Sequence, residues 1–318
     1  MIKFQYKPFS FYLKQPLETS QNIIKCKHGW LMRLENSRGD VGWGEVSPWS
    51  KEDLSRCETI LSELKEEISI NQLEIEMKNW PGALEFGCGS CIAEMQKDIG
   101  YRDSRMKWKE SPDSAVIITK DNEINSINKH IRGGRSKYTF KWKVGIKSNQ
   151  SEEDLLKQII STLPNNSLLR IDPNGAWSRR QALSWAENLF NEPKLEWIEQ
   201  PFAANDIEGH LDLSHKVPIA LDESLLLYPE LRRDWKQWQI RRPSLEGDPR
   251  KLLKELNINS SYKMISTAFE TGIGRRWINH FAGIISEGIT PTAPGLAPGL
   301  FPSNNLFRLE PELVWEAA

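Results

Sequence analysis

A closed barrel of parallel strands alternating with helices, preceded by a separate α+β unit, is the α/β architecture this chain predicts. Three observations carry it. After Pro112, short apolar runs alternate with helical stretches, the pattern of βα units around a parallel sheet. Before about Arg105 the order is strands first and helices second, which reads as an α+β unit of its own. Several of the later strands also end in an ionisable residue, as expected where the C-terminal strand ends share one face.

The elements follow in order. Residues 1 to about 50 read as a strand meander, with "IIKCKHGWLMRLEN" and "GDVGWGEVSP" alternating between turn residues. From Lys51 the pattern becomes helical in "EDLSRCETILSELKEEI" and "CGSCIAEMQKDIG". Seven or eight strands then follow: "AVIIT", "YTFKWKVG", "SLLRIDPN", "LEWIEQP", "VPIALDES", "QWQIRRPS" and "KMISTAFE" are the seven runs, separated by helices such as "SEEDLLKQIIST" and "SRRQALSWAENLF". "ITPTAPGLAPGLFPSNN" is rich in Pro and Gly and reads as loop. The domains expected are 1–110 for the α+β unit, 111–300 for the barrel, and 301–318 for a terminal segment that returns to the first unit.

Composition narrows the function classes. The 318 residues are 39% hydrophobic and carry a net charge of −1, which gives no reason to expect nucleic acid or a membrane surface as partner. The basic stretch "RGGRSK" (Arg132–Lys137) has no interleaved aromatics for stacking bases and reads as a solvated loop. No apolar run reaches transmembrane length, and "MIKFQYKPFSFYL" reads as a strand rather than a signal peptide. Four cysteines do not make a disulfide scaffold, so the reducing cytoplasm is the expected compartment. Cys88 and Cys91 have redox or metal spacing without a second pair, and are read as letting a helix N-terminus pack closely.

The strand ends carry the chemistry. Asp172 in "RIDPN", Glu199 in "WIEQP" and Asp222 in "ALDES" lie 27 and 23 residues apart, about one βα unit each in a barrel of roughly 250 residues. Singly, "DPNG" is turn chemistry, "EQP" a strand halted by proline and "DES" a helix cap. On three consecutive strands they form a set, and carboxylates converging at a barrel mouth suit a divalent cation such as Mg²⁺. Lys141 and Lys143 in "TFKWKVG" share one face of the preceding strand, with Trp142 on the other. A metal and a second ammonium nearby lower a lysine's pKa toward the range of a general base. Such a lysine beside a metal-held carboxylate is suited to removing the α proton.

These residues resemble the enolase superfamily over essentially the whole chain: the "K-x-K" of Lys141 and Lys143, then Asp172, Glu199 and Asp222. The resemblance implies a (β/α)₇β barrel behind an N-terminal α+β capping domain, with Lys143 as base, Lys141 tuning it, and the three acids as Mg²⁺ ligands. "RIDPNGAWS", "EWIEQPF", "ALDES" and "ISTAFETGIG" look like the branch that dehydrates 2-succinyl-6-hydroxy-2,4-cyclohexadiene-1-carboxylate in menaquinone or phylloquinone synthesis, which implies a carbon–oxygen lyase with a small carboxylate substrate. By the same resemblance Arg170, Asn174, Ser266, Thr267 and Gly295 contact substrate, and the cap loop around Gln15–Lys27 closes over the succinyl tail. One departure stands out: Arg242 precedes Pro243 where the family pattern has lysine. Arginine stays protonated, so Arg242 suits holding charge over the ring rather than serving as a second base. A syn elimination needs an acid/base group on one face only, whereas racemisation needs one on each.

The alternatives are a cycloisomerase or N-acylamino acid racemase of the same superfamily, and a barrel that binds ligand without turnover. "ETGIG" and "APGLAPG" lack both the Walker spacing and the dinucleotide fingerprint. The five histidines fall outside the constellation, and most of the thirteen tryptophans sit in helical or strand patterns and read as core or domain-interface residues.

Overall fold

The computed structural model describes residues 1–18, 23–100, 103–120, 122–134, 137–145 and 149–318. The first unit begins with a meander of β1 (Ile2–Glu18), β2 (Ile23–Asn36) and β3 (Val41–Val46), then α1 (Lys51–Glu63), β4 (Glu67–Ile68), α2 (Ile70–Glu76) and α3 (Gly82–Met95). The sheet is antiparallel between β1 and β2, β2 and β3, and β1 and β4, in the order β3-β2-β1-β4. Its inner face joins the helices in one core that includes Phe4, Met32, Leu34, Leu61 and Leu73. Cys88 and Cys91 lie in the body of α3, not at its N-terminus, and all four cysteines are free. The close packing comes from glycines instead. A Cβ at Gly44 would lie 2.0 Å from the carbonyl oxygen of Gly87, so α3 rests directly on β3.

A two-stranded pair, β5 (Ile99–Gly100) with β6 (Met106–Lys107), leads to the barrel. Its units are β7 (Val116–Ile117), α4 (Glu123–Ile131), β8 (Thr139–Lys143), α5 (Asn149–Thr162), β9 (Leu168–Asp172), α6 (Arg179–Leu189), β10 (Leu195–Glu199), α7 (Ile207–Ser214), β11 (Ile219–Leu221), α8 (Glu223–Leu227), α9 (Leu231–Asp234), β12 (Trp238–Arg241), α10 (Pro249–Ile258), β13 (Lys263–Ile265) and α11 (Gly272–Ser286). All seven strands pair in parallel with their sequence neighbours. The Pro- and Gly-rich segment read as loop supplies the eighth position. Gly295 bridges Ser266 in parallel, and Pro294 accepts the backbone N–H of Ala115 at 2.9 Å, which ties β13 round to β7. One bridged pair is too short to leave a period in the sequence. The fold is thus a (β/α)₇β barrel.

Strand alternation sorts the side chains. Phe140, Trp142, Leu169, Ile171 and Ile198 join the helix-side core, where Trp142 lies 5.9 Å from Trp185 of α6. Trp197, Ala220, Ile240 and Met264 fill the interior, with Trp238 against them. After the barrel, the chain returns to the first unit through α12 (Pro311–Ala317): Trp315 packs against Trp43, and its carbonyl accepts from Lys7 Nζ at 3.0 Å. Among the described residues, no helix is long and apolar enough to cross a membrane.

His210 and His280 are fully buried, and burial drives each imidazole down to about 4. Both are neutral in the folded chain, whereas unfolded histidine titrates near pH 6.5. The stability they contribute is complete above that value and is lost as pH falls through about 4. Between pH 7 and pH 5 the unfolding free energy is expected to lose about 2 kcal/mol for each of them. Urea unfolding of wild type and His280→Gln at both pH values checks this, because the variant lacks one such loss.

Candidate active site

Each strand from β8 to β12 brings one charged side chain to the same end of the barrel. Lys143, Asp172 and Glu199 are the last residues of β8, β9 and β10, and Asp222 and Arg242 directly follow β11 and β12. Register keeps them level: Lys143 pairs with Asp172, and Lys141 with Arg170. Lys141 Nζ stands 2.6 Å from Glu199 Oε1 and 2.8 Å from Asp172 Oδ2. Lys143 Nζ donates to Asn174 Oδ1 at 3.0 Å. Arg242 grips Asp222 with Nε at 2.8 Å and Nη2 at 2.5 Å, and gives Nη1 to the carbonyl of Thr267 at 2.6 Å. The ring of Trp49, from the first unit, lies 4.6 Å from the Arg242 guanidinium carbon.

The turns after the strands hold this geometry. In "DPNG" both Asn174 (φ 48°) and Gly175 (φ 77°) are left-handed, which Asn and Gly tolerate. Asn174 N–H donates back to Asp172 Oδ1 at 2.9 Å. Gln200 (φ 42°) is strained for an ordinary residue, and a buried network compensates. Its Oε1 accepts from the backbones of Asp222 and Ser224, and its Nε2 donates to Ser224 Oγ and to the Phe202 carbonyl. The ends carrying Glu199 and Asp222 are thereby fastened together.

The charge on Lys141 is set by the acids beside it rather than by the second lysine. Burial opposes the charged form of Lys141, but Asp172 and Glu199 outweigh it and hold the ammonium well above its ordinary pKa. Lys141 therefore stays a cation. Burial also opposes ionisation of Asp172, yet Lys141 and Lys143 keep that carboxyl below the usual range. Glu199 is raised, by burial first and then by Asp172 and Asp222, against the pull of Lys141. Glu223 is pushed up to about 8 by burial and by Asp222 and Asp172.

As the side chains stand, the three acids do not close on one point, and no three His, Cys, Asp or Glu groups among the described residues do so. Lys141 sits between Asp172 and Glu199, and Arg242 holds both oxygens of Asp222. The donor set nonetheless fits a divalent cation. Four carboxylates (Asp172, Glu199, Asp222, Glu223) meet three cations, and Glu223 Oε2 is buried with no hydrogen-bond partner. Burial and the neighbouring acids hold Glu223 protonated at neutral pH, a crowding of hard oxygen donors of the kind Mg²⁺ prefers and would relieve.

The other residues singled out in the sequence are placed as follows. Thr267 joins the cluster through Arg242. Ser266 and Gly295 pair with each other at the seam that closes the barrel. Arg170 lies one pleat below Asp172, fully buried, bonded to Glu196 Oε2 (2.6 Å) and the Ala293 carbonyl (2.8 Å), with its guanidinium over Trp197. The cap-loop expectation falls partly outside the described residues at 19–22, and the basic stretch 132–137 does so at 135 and 136. Trp49, Gln200, Glu223 and Glu270 belong to this end of the barrel and were not read from the sequence. Glu270 accepts from Thr267 Oγ1, Ala268 N and Ser244 Oγ.

Comparison with known proteins gives the family. The family model described as "Enolase C-terminal domain-like" matches residues 134–235, which hold Lys141, Lys143 and all three acids. An o-succinylbenzoate synthase from Thermosynechococcus vestitus is 30% identical over 300 residues, covering 88% of each chain. The chain belongs to the o-succinylbenzoate synthase family of the enolase superfamily. The solved o-succinylbenzoate synthase from Thermosynechococcus elongatus, complexed with Mg in the active site, superposes with a TM-score of 0.82 at 27% identity, covering 99% of this chain and 100% of that one. A hydrophobic dipeptide epimerase from Roseobacter litoralis is 23% identical, over 91% of this chain and 85% of its own. The fold is shared with the epimerases, so the difference between synthase and epimerase must lie in the site.

Proposed function

We propose that the protein is an o-succinylbenzoate synthase, a Mg²⁺-dependent hydro-lyase that dehydrates 2-succinyl-6-hydroxy-2,4-cyclohexadiene-1-carboxylate to 2-succinylbenzoate in cytoplasmic menaquinone or phylloquinone biosynthesis. The observation that carries this reading is one cluster in which a lysine base adjoins three strand-end acids, in a chain of this family. Asp172, Glu199 and Asp222 are the residues that would hold Mg²⁺, whose charge would stabilise negative charge developing on the substrate carboxylate.

The protein's own groups do the rest. Lys143, as the neutral amine, takes the proton α to the carboxylate, and Asn174 Oδ1 aims its Nζ. The same Nζ returns that proton to the hydroxyl leaving from the same face. Water departs, the ring becomes aromatic, and Lys143 is neutral again. Lys141 keeps its charge and lies beside the carboxylate. Arg242, backed by Trp49, presents a permanent cation to the electron-rich ring. Thr267, Ser266 and Gly295 line the mouth on the β13 side, and Arg170 supports its floor. Residues 1–110 serve as cap, 111–300 as barrel, and 301–318 as the return to the cap.

An absorbance assay for aromatisation of the cyclohexadiene substrate tests the activity: conversion requires Mg²⁺, and no conversion with Mg²⁺ overturns the reading. The epimerase alternative needs a base on each face, and Arg242 is held above even its ordinary pKa, because Asp222 outweighs the opposing effect of burial. An N-succinyl amino acid incubated with the enzyme in D₂O is therefore expected to keep its configuration, even where deuterium enters at the α carbon. Rapid inversion, read by chiral chromatography, contradicts this.

A further inference from the structure

The outer wall of the barrel breaks the pattern of its neighbours at β12. Trp238 and Ile240 turn inward, so Gln239 and Arg241 turn outward, where β8 to β10 present Trp142, Ile171 and Ile198 to the helices. The helix preceding β12, α9, has four residues and cannot cover that face. The result is a cavity of about 510 Å³ between α9 and α10, walled by Arg232, Arg241, Glu246, Glu255 and Lys263.

Its charges do not balance. Of the cations lining it, Lys251 pairs with Glu85 and Arg233 with Asp234, while Asp248 is taken up by Arg250. Arg232, Arg241 and Lys263 then face two carboxylates, Glu246 and Glu255, while the exposed Lys236 at the rim gives its Nζ to the Arg233 carbonyl at 2.7 Å. Arg241 is 3% exposed and spends Nε on Glu246 and Nη1 on Glu255 and Gln239. Arg232 spends Nε on the Leu225 carbonyl and Nη1 on the Glu246 carbonyl. Among the described residues, Nη2 of each arginine has no hydrogen-bond partner. Burial holds the Lys263 ammonium below its ordinary pKa; Glu255 opposes this and Arg241 adds to it. A purely structural ion-pair network would match its charges, because an uncompensated buried cation is costly.

We propose that this cavity binds a small phosphate-bearing molecule, with the phosphate held by the free Nη2 groups of Arg241 and Arg232 beside Lys263. The surplus of one positive charge inside, with Lys236 adding a second at the rim, suits a phosphomonoester, which carries about −1.5 to −2 at neutral pH, and guanidinium forks match its oxygens. Trp235, Leu252 and Tyr262 on the same wall would contact the organic part. Glu246 also accepts the backbone N–H of Arg242 at 2.6 Å, so one carboxylate separates the cavity from the active site.

Isothermal titration calorimetry of the full chain with inorganic phosphate, at constant ionic strength set with NaCl, tests the site without reference to catalysis. Wild type and Lys143→Ala are expected to show the same saturable one-site binding, and Arg232→Gln to weaken it at least about tenfold. Arg241→Gln is expected to do the same; should that buried substitution prevent folding, the half-buried Arg232 carries the test. Absence of saturable binding in wild type overturns the proposal. So does equal binding in wild type and Arg232→Gln, the mark of an ion held elsewhere.

Discussion

Lys143→Ala is expected to lower kcat for dehydration by about 10³-fold, near the middle of the range for losing a positioned acid/base group. The expected loss is large because one side chain serves both proton transfers. Nothing nearby can replace it: Arg242 stays a guanidinium cation, and Lys141 lies one pleat deeper in the barrel, level with Arg170. Mg²⁺ affinity should change little, since Lys143 is not among the proposed ligands. Steady-state kinetics together with a Mg²⁺ titration check both parts. A variant that keeps wild-type kcat removes Lys143 from the mechanism.

Chelation with EDTA is expected to abolish dehydration, and added Mg²⁺ to restore it. The metal is asked to supply several kcal/mol of charge stabilisation, about 10³-fold in rate or more. The fold should survive chelation, because Lys141 and Arg242 already neutralise much of the acid cluster. Re-adding Mg²⁺ should raise stability by about 2.7 kcal/mol at a hundred times its Kd. Thermal unfolding with and without Mg²⁺ reads this independently of turnover. Glu199→Gln should remove both the activity and most of the Mg²⁺-dependent stabilisation. Chelated enzyme with undiminished activity would rule out a metal role.

What was legible in the sequence was whatever repeats along the chain. Lys143, Asp172, Glu199 and Asp222 recur at strand ends because the barrel repeats, so spacing brought them to one mouth, and the family resemblance added Arg242. Contacts that join distant segments leave no period. Gln200 reads as the middle of "EQP", yet it fastens the ends of β10 and β11 across a left-handed backbone. Glu270 reads as part of a glycine-containing loop, yet it binds Thr267 and Ser244 from two different loops. Trp49 belongs to the first unit and meets Arg242 only because the cap sits on the barrel. The eighth barrel position was hidden for a related reason: a single bridge at Gly295 in a Pro-rich segment has no alternation to read. Nor does strand parity report depth. Arg170 and Asp172 share a face, but one lies among Trp197 and Glu196 inside the barrel and the other at its rim. The charge state of Lys141 depends on how closely Asp172 and Glu199 approach, a distance that spacing does not encode.

The most direct test is an anomalous-diffraction map from a crystal soaked in Mn²⁺ as a Mg²⁺ substitute. The account predicts one strong peak bounded by carboxylate oxygens of Asp172, Glu199 and Asp222, with the Lys141 ammonium and the Arg242 guanidinium drawn back to admit it and Lys143 facing the open side. A peak elsewhere, or an acid cluster still closed around Lys141 and Arg242 at saturating Mn²⁺, would contradict it.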